Sequence, residues 1–185
     1  MKLEAKPITP KIKDYRSIAA LYNRAFPSRE RLPIAVLNLM AKRKNVDFLA
    51  FYDGEQICGL TYLIRYKKIT LLFYLAVEER LRSRGYGSKI LQWLDENIDG
   101  SIVLDIETVD KDRASTNYEQ RIRRQQFYSK NDYKDTGFKM IQYGEIYDVL
   151  YHGEAFTADE LERLLKWFSF GLSRFIFKIE SKSKN

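Results

Sequence analysis

The chain has 185 residues, 45% of them hydrophobic and 31% charged, with a formal net charge of +7. That length supports one domain with an ample core, and that composition is ordinary for a water-soluble globular protein. A single cysteine, Cys58, excludes an internal disulfide and suits a reducing compartment; a single histidine, His152, argues against a histidine-based metal site. There is no apolar run long enough to span a bilayer, and the first residues lack the apolar region of a secretion signal, so a cytoplasmic location is expected. The positive charge suits a polyanionic partner. No zinc-finger spacing or RNA-recognition signature accompanies it, and a phosphate-rich cofactor would absorb part of it.

A short strand is possible near Lys2 to Ile8. Asp14 then precedes a helical pattern with Tyr15, Ile18, Leu21, Tyr22, Ala25 and Phe26 on one face, and Asp is a good N-cap. Pro27 stops that helix. A charged loop with Arg29, Glu30 and Arg31 follows, and a second helix runs from about Ile34 to Lys42. Val46 to Tyr52 reads as a strand, Asp53-Gly54 as a hairpin turn, and Gln56 to Tyr66 as the partner strand. Ile69 to Val77 is the next strand, so this part is an antiparallel meander.

The chain turns polar at Glu78, passes Arg82-Ser83-Arg84-Gly85-Tyr86-Gly87-Ser88, and enters a helix to about Asn97. A strand, a glycine-containing loop and a helix N-terminus in that order make an anion site. The first-turn N–H groups lack intrahelical partners, and the helix dipole adds positive charge there. Arg82 and Arg84 add full charges. The next strand, Ile102 to Thr108, gives a strand–helix–strand unit and therefore a parallel pair. Alternation puts Ile102, Leu104 and Ile106 on one face and Val103, Asp105 and Glu107 on the other. Two carboxylates on one face of a central strand should line a cleft.

Tyr118 to Ser129 is a basic helix, and Asn131 a plausible stop for it. Phe138 to Tyr143 and Glu145 to Tyr151 form a hairpin around Gly144. Thr157-Ala158-Asp159-Glu160 is a capping box that opens an amphipathic helix through Phe168. The apolar tail from Ser169 to Ile179 has no evident partner; the core or another subunit could receive it. Residues 1–151 read as one domain, and 152–185 as a helical extension packed on it or continuing it.

Arg82-Ser83-Arg84-Gly85-Tyr86-Gly87 resembles the Arg/Gln-x-x-Gly-x-Gly/Ala signature of the GCN5-related N-acetyltransferases (GNAT). Arg123 to Tyr133, with Phe127-Tyr128 at its centre, is similar to the second motif of that family. The resemblance covers about Asp14 to Tyr151. It implies an α/β (α+β) fold with a mixed, mostly antiparallel sheet, splayed between the fourth and fifth strands and flanked by helices. It implies acetyl-coenzyme A as co-substrate, no metal, and acetyl transfer to a primary amine of a small molecule or peptide, by a monomer or homodimer without a membrane partner.

The resemblance also implies roles. Arg82, Ser83, Arg84, Gly85, Tyr86, Gly87 and Ser88 would hold the pyrophosphate, with Gln125 also on the coenzyme. Backbone at Leu75, Ala76 and Val77 would hold the thioester and its developing oxyanion. Glu107 would take the amine proton, with Asp105 and Glu78 as further carboxylates on the acceptor side. Tyr128 would protonate the leaving thiolate. Arg29, Glu30 and Arg31 would touch the acceptor. Alternatives stay open: a solvated loop for Arg29–Arg31, an ion pair with a helix arginine for Glu107, and plain packing for Tyr128. The family's usual spacing would put Gly-Phe sooner after Tyr128 than Gly137-Phe138, so Asn131 could take the place of that Gly and Tyr133 of its Phe. Two other functions compete: a coenzyme-binding module without turnover, and nucleic-acid binding through Arg121, Ile122, Arg123 and Arg124.

Overall fold

In a computed structural model, residues 3–28, 31–109, 117–142, 144–170 and 177–181 are described. They form an eight-stranded mixed sheet with helices. Two compact units make up the chain: residues 1–65 with 72–98, and residues 66–71 with 99–185.

The first unit holds β1 (Glu4–Pro7), α1 (Tyr15–Ala25), α2 (Ile34–Met40), β2 (Val46–Asp53), most of β3 (Gln56–Tyr66), the later part of β4 (Ile69–Val77) and α3 (Tyr86–Asn97). Strands β1, β2 and β3 pair antiparallel. The β2–β3 turn uses Gly54 at φ 60°, where an L side chain would be strained. Phe51 pairs with Gly59 and Tyr52 with Ile57, so Cys58 is an extra residue and bulges β3. The thiol is buried.

Helix α1 buries Ile18, Leu21 and Tyr22, the stripe its periodicity predicts. Asp14 does not cap it: the carboxylate instead accepts a long hydrogen bond from the Tyr52 hydroxyl (3.5 Å). Aromatic rings fill the space under α1 and α2. Tyr74 meets Tyr22 and Phe26 at ring distances of 5.2 and 4.7 Å, and Phe48 meets Tyr62 at 5.3 Å. Their hydroxyls are used as well. Tyr22 donates to the Leu32 carbonyl (2.9 Å), Tyr62 donates to the Leu37 carbonyl (3.1 Å), and Tyr74 accepts from the Leu32 N–H (3.1 Å). Burying such hydroxyls without partners would cost stability.

Helix α3 presses Ile90, Leu91 and Leu94 into the same unit. It sits close because residue 59 is glycine: a Cβ there would collide with the Ala76 carbonyl and lie 2.8 Å from Ile90 Cδ1.

In the second unit Ile69–Leu71 of β4 pair in parallel with Ser101–Val103 of β5 (Ser101–Glu107), the relation a strand–helix–strand crossover requires. Strand β5 pairs antiparallel with β7 (Glu145–His152), and β7 with β6 (Lys134–Gln142). Two elements differ from the sequence reading. Strand β6 begins at Lys134 rather than at Phe138, because Gly137 at φ 76° makes a register shift inside the strand and not a break before it. The tail is not only helical. After α5 (Ala158–Phe168), β8 (Phe177–Ser181) adds antiparallel to β6, so the end of the apolar tail pairs on that edge, while residues 171–176 of it lie outside the described residues. The capping box at Thr157 and Glu160 is formed in both directions. Among the described residues no helix is long and apolar enough to cross a membrane.

Candidate active site

In the first unit the loop after β4 leads into the N-terminus of α3. A single 3-10 turn, Glu79–Leu81, buries Leu81 and leaves Arg82, Ser83, Arg84 and Gly85 exposed. Ser83 (φ 58°) and Gly85 (φ 82°) are both left-handed, so the chain doubles back sharply into α3. Gly85 is the N-cap and supplies no capping side chain. The first intrahelical bond runs from the Lys89 N–H to the Gly85 carbonyl (3.1 Å). Helix geometry leaves the earlier N–H groups, at Tyr86, Gly87 and Ser88, without an intrahelical acceptor. Gly87 lies in this first turn in ordinary helical backbone; the left-handed glycine is Gly85.

Tyr86 is 8% exposed and donates from its hydroxyl to Asp53 Oδ2 (2.7 Å). That bond to Asp53 first, and burial second, push the phenol above its usual pKa. Lys89 Nζ sits 5.2 Å from the Tyr86 ring centroid.

Upstream of the loop, Ala76 is buried, whereas Leu75 and Val77 are half-buried. Glu78 donates its N–H to the Cys58 carbonyl (2.8 Å) and accepts from Arg24 through both carboxylate oxygens (3.3 Å each). Arg31 donates to the Asn23 and Phe26 carbonyls and so caps the end of α1. Arg29 and Glu30 lie outside the described residues.

In the second unit, α4 (Tyr118–Lys130) is tied to the end of β5 by Glu107. Its carboxylate accepts from Arg121 (3.2 Å), Arg124 (3.3 Å) and Asn117 Nδ2 (3.1 Å). Arg121 also donates to the Asn117 side chain (2.9 Å) and the Thr108 carbonyl (3.1 Å). The helix-arginine alternative for Glu107 is therefore realised as geometry. Asp105 shares the Glu107 face and is half-buried. Its charge is one of the causes that, after burial, push the Tyr128 phenol up to about 12; Arg124 acts the other way.

Tyr128 is 9% exposed and packs against Phe127 and Tyr133 at 5.0 and 5.5 Å. Helix α4 ends in a Schellman motif. The Tyr133 N–H reaches the Tyr128 carbonyl (3.1 Å), and the Asp132 N–H reaches that of Ser129 (3.2 Å). The left-handed residue is Asp132 (φ 63°), not Asn131, which is the C-cap at φ −101°. This corrects the assignment of Asn131 to the glycine position and keeps Tyr133 in the aromatic one, since the motif places its apolar contact there. Gln125 lines a groove of about 510 Å³ with Ser129, Tyr133, Asp148 and Leu150.

Sequence reasoning missed three contacts: Asp53 with Tyr86, Arg24 with Glu78, and the left-handed Asp132. Only the last had a local signal, the five-residue spacing from Tyr128 to Tyr133. The other two join residues 33 and 54 positions apart.

Residues 44–135 match the acetyltransferase (GNAT) domain family. No curated protein sequence matches the chain. Among solved structures, one described as a GNAT-family acetyltransferase from Bacteroides thetaiotaomicron is 22% identical with a TM-score of 0.70, covering 91% of this chain and 98% of its own. An aminoglycoside 6'-N-acetyltransferase complexed with coenzyme A is 16% identical with a TM-score of 0.62, over 81% and 96%. A GNAT-family acetyltransferase from Elizabethkingia anophelis with acetyl-CoA bound is 14% identical with a TM-score of 0.55, over 83% and 99%. At these identities the structural likeness is one of fold, and it agrees with the domain matched in the sequence. With that domain at residues 44–135 and that fold around it, the chain belongs to the GNAT family of acetyltransferases.

Proposed function

We propose that the protein transfers the acetyl group of acetyl-coenzyme A to a primary amine by direct attack on the thioester. The observation that carries this reading is the uncapped N-terminus of α3, entered through left-handed Ser83 and Gly85 and flanked by exposed Arg82 and Arg84. Such a terminus suits the diphosphate of the coenzyme through backbone N–H groups, dipole and full charges together. Backbone at Leu75, Ala76 and Val77 would then hold the thioester carbonyl. Donors aimed at a developing oxyanion commonly contribute roughly 3–4 kcal/mol.

In this reading the amine nitrogen, once deprotonated, attacks the carbonyl carbon, the tetrahedral intermediate collapses, and the thiolate leaves. Tyr128 is the candidate to serve the departing sulfur, the role that the likeness to the family's second motif implies. Its phenol is protonated at neutral pH at its ordinary value, and burial pushes that value up to about 12. A phenol at about 12 is a weaker acid than a thiol of roughly 8–9, so Tyr128 serves the sulfur better as a hydrogen-bond donor than by complete proton transfer. Glu107 is the candidate to accept the amine proton, with Asp105 and Glu78 behind it. A second reading of Glu107 is favoured by its two ion pairs: it anchors α4 to β5, and solvent takes the proton.

Calorimetry with acetyl-coenzyme A, followed by thiol release against a panel of small amines and peptides, tests the activity. Binding without thiol release for any amine would leave a coenzyme-binding module; absence of binding would refute the reading altogether. Glu107→Gln separates the two roles of that residue. Loss of the acidic limb of the kcat/KM profile marks a base, whereas an unchanged profile with lowered stability marks an anchor.

A further inference from the structure

The pyrophosphate loop has a weakness as a binding device. Residues 82–85 are exposed, two residues there are left-handed, and the N-cap glycine contributes no side chain to hold the helix start. A binding site of this kind works only if its N–H groups are already in position when the ligand arrives, since ordering them on binding costs affinity.

One side chain fixes the start of α3 to the sheet. Tyr86, the first helical residue, is buried and donates its hydroxyl to Asp53 Oδ2 at 2.7 Å. Asp53 is the last residue of β2 and is held opposite Gln56 by the hairpin ladder, so it is a rigid acceptor. Lys89, one turn along α3, lies over the Tyr86 ring and holds it from the helix side. The turn accounts for an aspartate at the end of β2, and its charge alone would oppose an anion; the hydrogen bond to Tyr86 turns that carboxylate to the service of the helix start.

We propose that Asp53 and Tyr86 are positioning residues: their hydrogen bond latches the Arg82–Gly87 loop to the β2–β3 hairpin and presets the α3 amides for the coenzyme's phosphates. This rests on the reading that the loop holds the coenzyme. Neither side chain reacts. The latch is selective for a hydrogen-bond acceptor at position 53 and not for its charge.

The test uses coenzyme A itself as the probe, with the full chain, by calorimetry, and urea unfolding as the check of the fold. Tyr86→Phe and Asp53→Ala are each expected to weaken coenzyme A by about fivefold to tenfold, the scale of one ordinary hydrogen bond. The double variant is expected to be no weaker than either single one, because both remove the same bond. Asp53→Asn keeps an acceptor oxygen and should stay within about twofold of the parent protein. Full affinity in the folded Tyr86→Phe and Asp53→Ala proteins would overturn the latch, even if their melting temperatures fall, since that pattern marks a purely structural bond. Losses that add in the double variant would overturn it too. A parent protein that does not bind coenzyme A at all would instead overturn the functional reading, and the latch with it.

Discussion

Gly59→Ala should cost far more than the addition of one methyl group suggests. The backbone at Gly59 is not left-handed, so alanine meets no conformational penalty there. The penalty is space. The new Cβ would collide with the carbonyl of Ala76 on β4 and stand 2.8 Å from Ile90 Cδ1 on α3. To reach ordinary contact, Ile90 must withdraw by roughly 0.6 Å, and the Ala76 carbonyl, part of the neighbouring strand, must move as well. Ile90 can rotate at some cost, but a strand carbonyl moves only with its ladder. Overpacking of this kind costs about 1–3 kcal/mol, and contact with backbone places this site in the upper half. With a urea slope of about 2 kcal/mol per molar, the midpoint should fall by about 1 M. Because Ile90 belongs to the helix whose N-terminus forms the proposed phosphate site, coenzyme affinity should fall alongside stability. Gly85→Ala is the control: nothing lies within 4 Å of its Cβ, and its whole cost, about 1 kcal/mol, is the left-handed backbone at φ 82°. A midpoint for Gly59→Ala within about 0.2 M of the parent would refute the packing argument, since that is well under the smallest overpacking cost expected.

Three further outcomes are expected. Asp132→Gly should stabilise the protein by about 0.5–1 kcal/mol in urea unfolding, because it relieves a left-handed aspartate at the end of α4 while the Schellman bonds persist. Tyr128→Phe should flatten alkaline destabilisation. Burial raises the phenol from 10 to about 12, so the native state holds this proton more tightly than the unfolded chain, and its contribution, on the order of 2 kcal/mol, is present below pH 10 and lost as pH rises to 12. Tyr22 and Tyr62 are raised by burial as well and keep the same sign in the variant, so the readout is the difference between the two stability–pH curves. Gly87→Val should abolish acetyl-coenzyme A binding in calorimetry with the fold intact, because a branched side chain would stand in the first turn of α3, where a phosphate would lie.

The sequence by itself determined most of the elements and their order, though not β8 or the start of β6. Hydrophobic alternation marked β2 to β5, helical periodicity marked α1 and α3, Asp53-Gly54 marked the hairpin, and Thr157 with Glu160 marked the start of α5. These are local signals, carried by residues a few positions apart, and the Arg82–Gly87 motif is one of them. Tertiary structure decided what distance in sequence conceals. Asp53 reads as a turn residue, and only folding reveals that it holds Tyr86; Glu78 reads as an acceptor-side carboxylate, and only folding brings Arg24 to it. By sequence alone β6 starts after Gly137, because a glycine's left-handed backbone looks alike in a turn and in a bulge, and the neighbouring strand decides between them. The apolar end of the chain gives no partner in its sequence. For Phe177–Ser181 backbone pairing with β6 supplies one, and a strand's pairing partner is set by the edge that remains open once the rest of the sheet has formed.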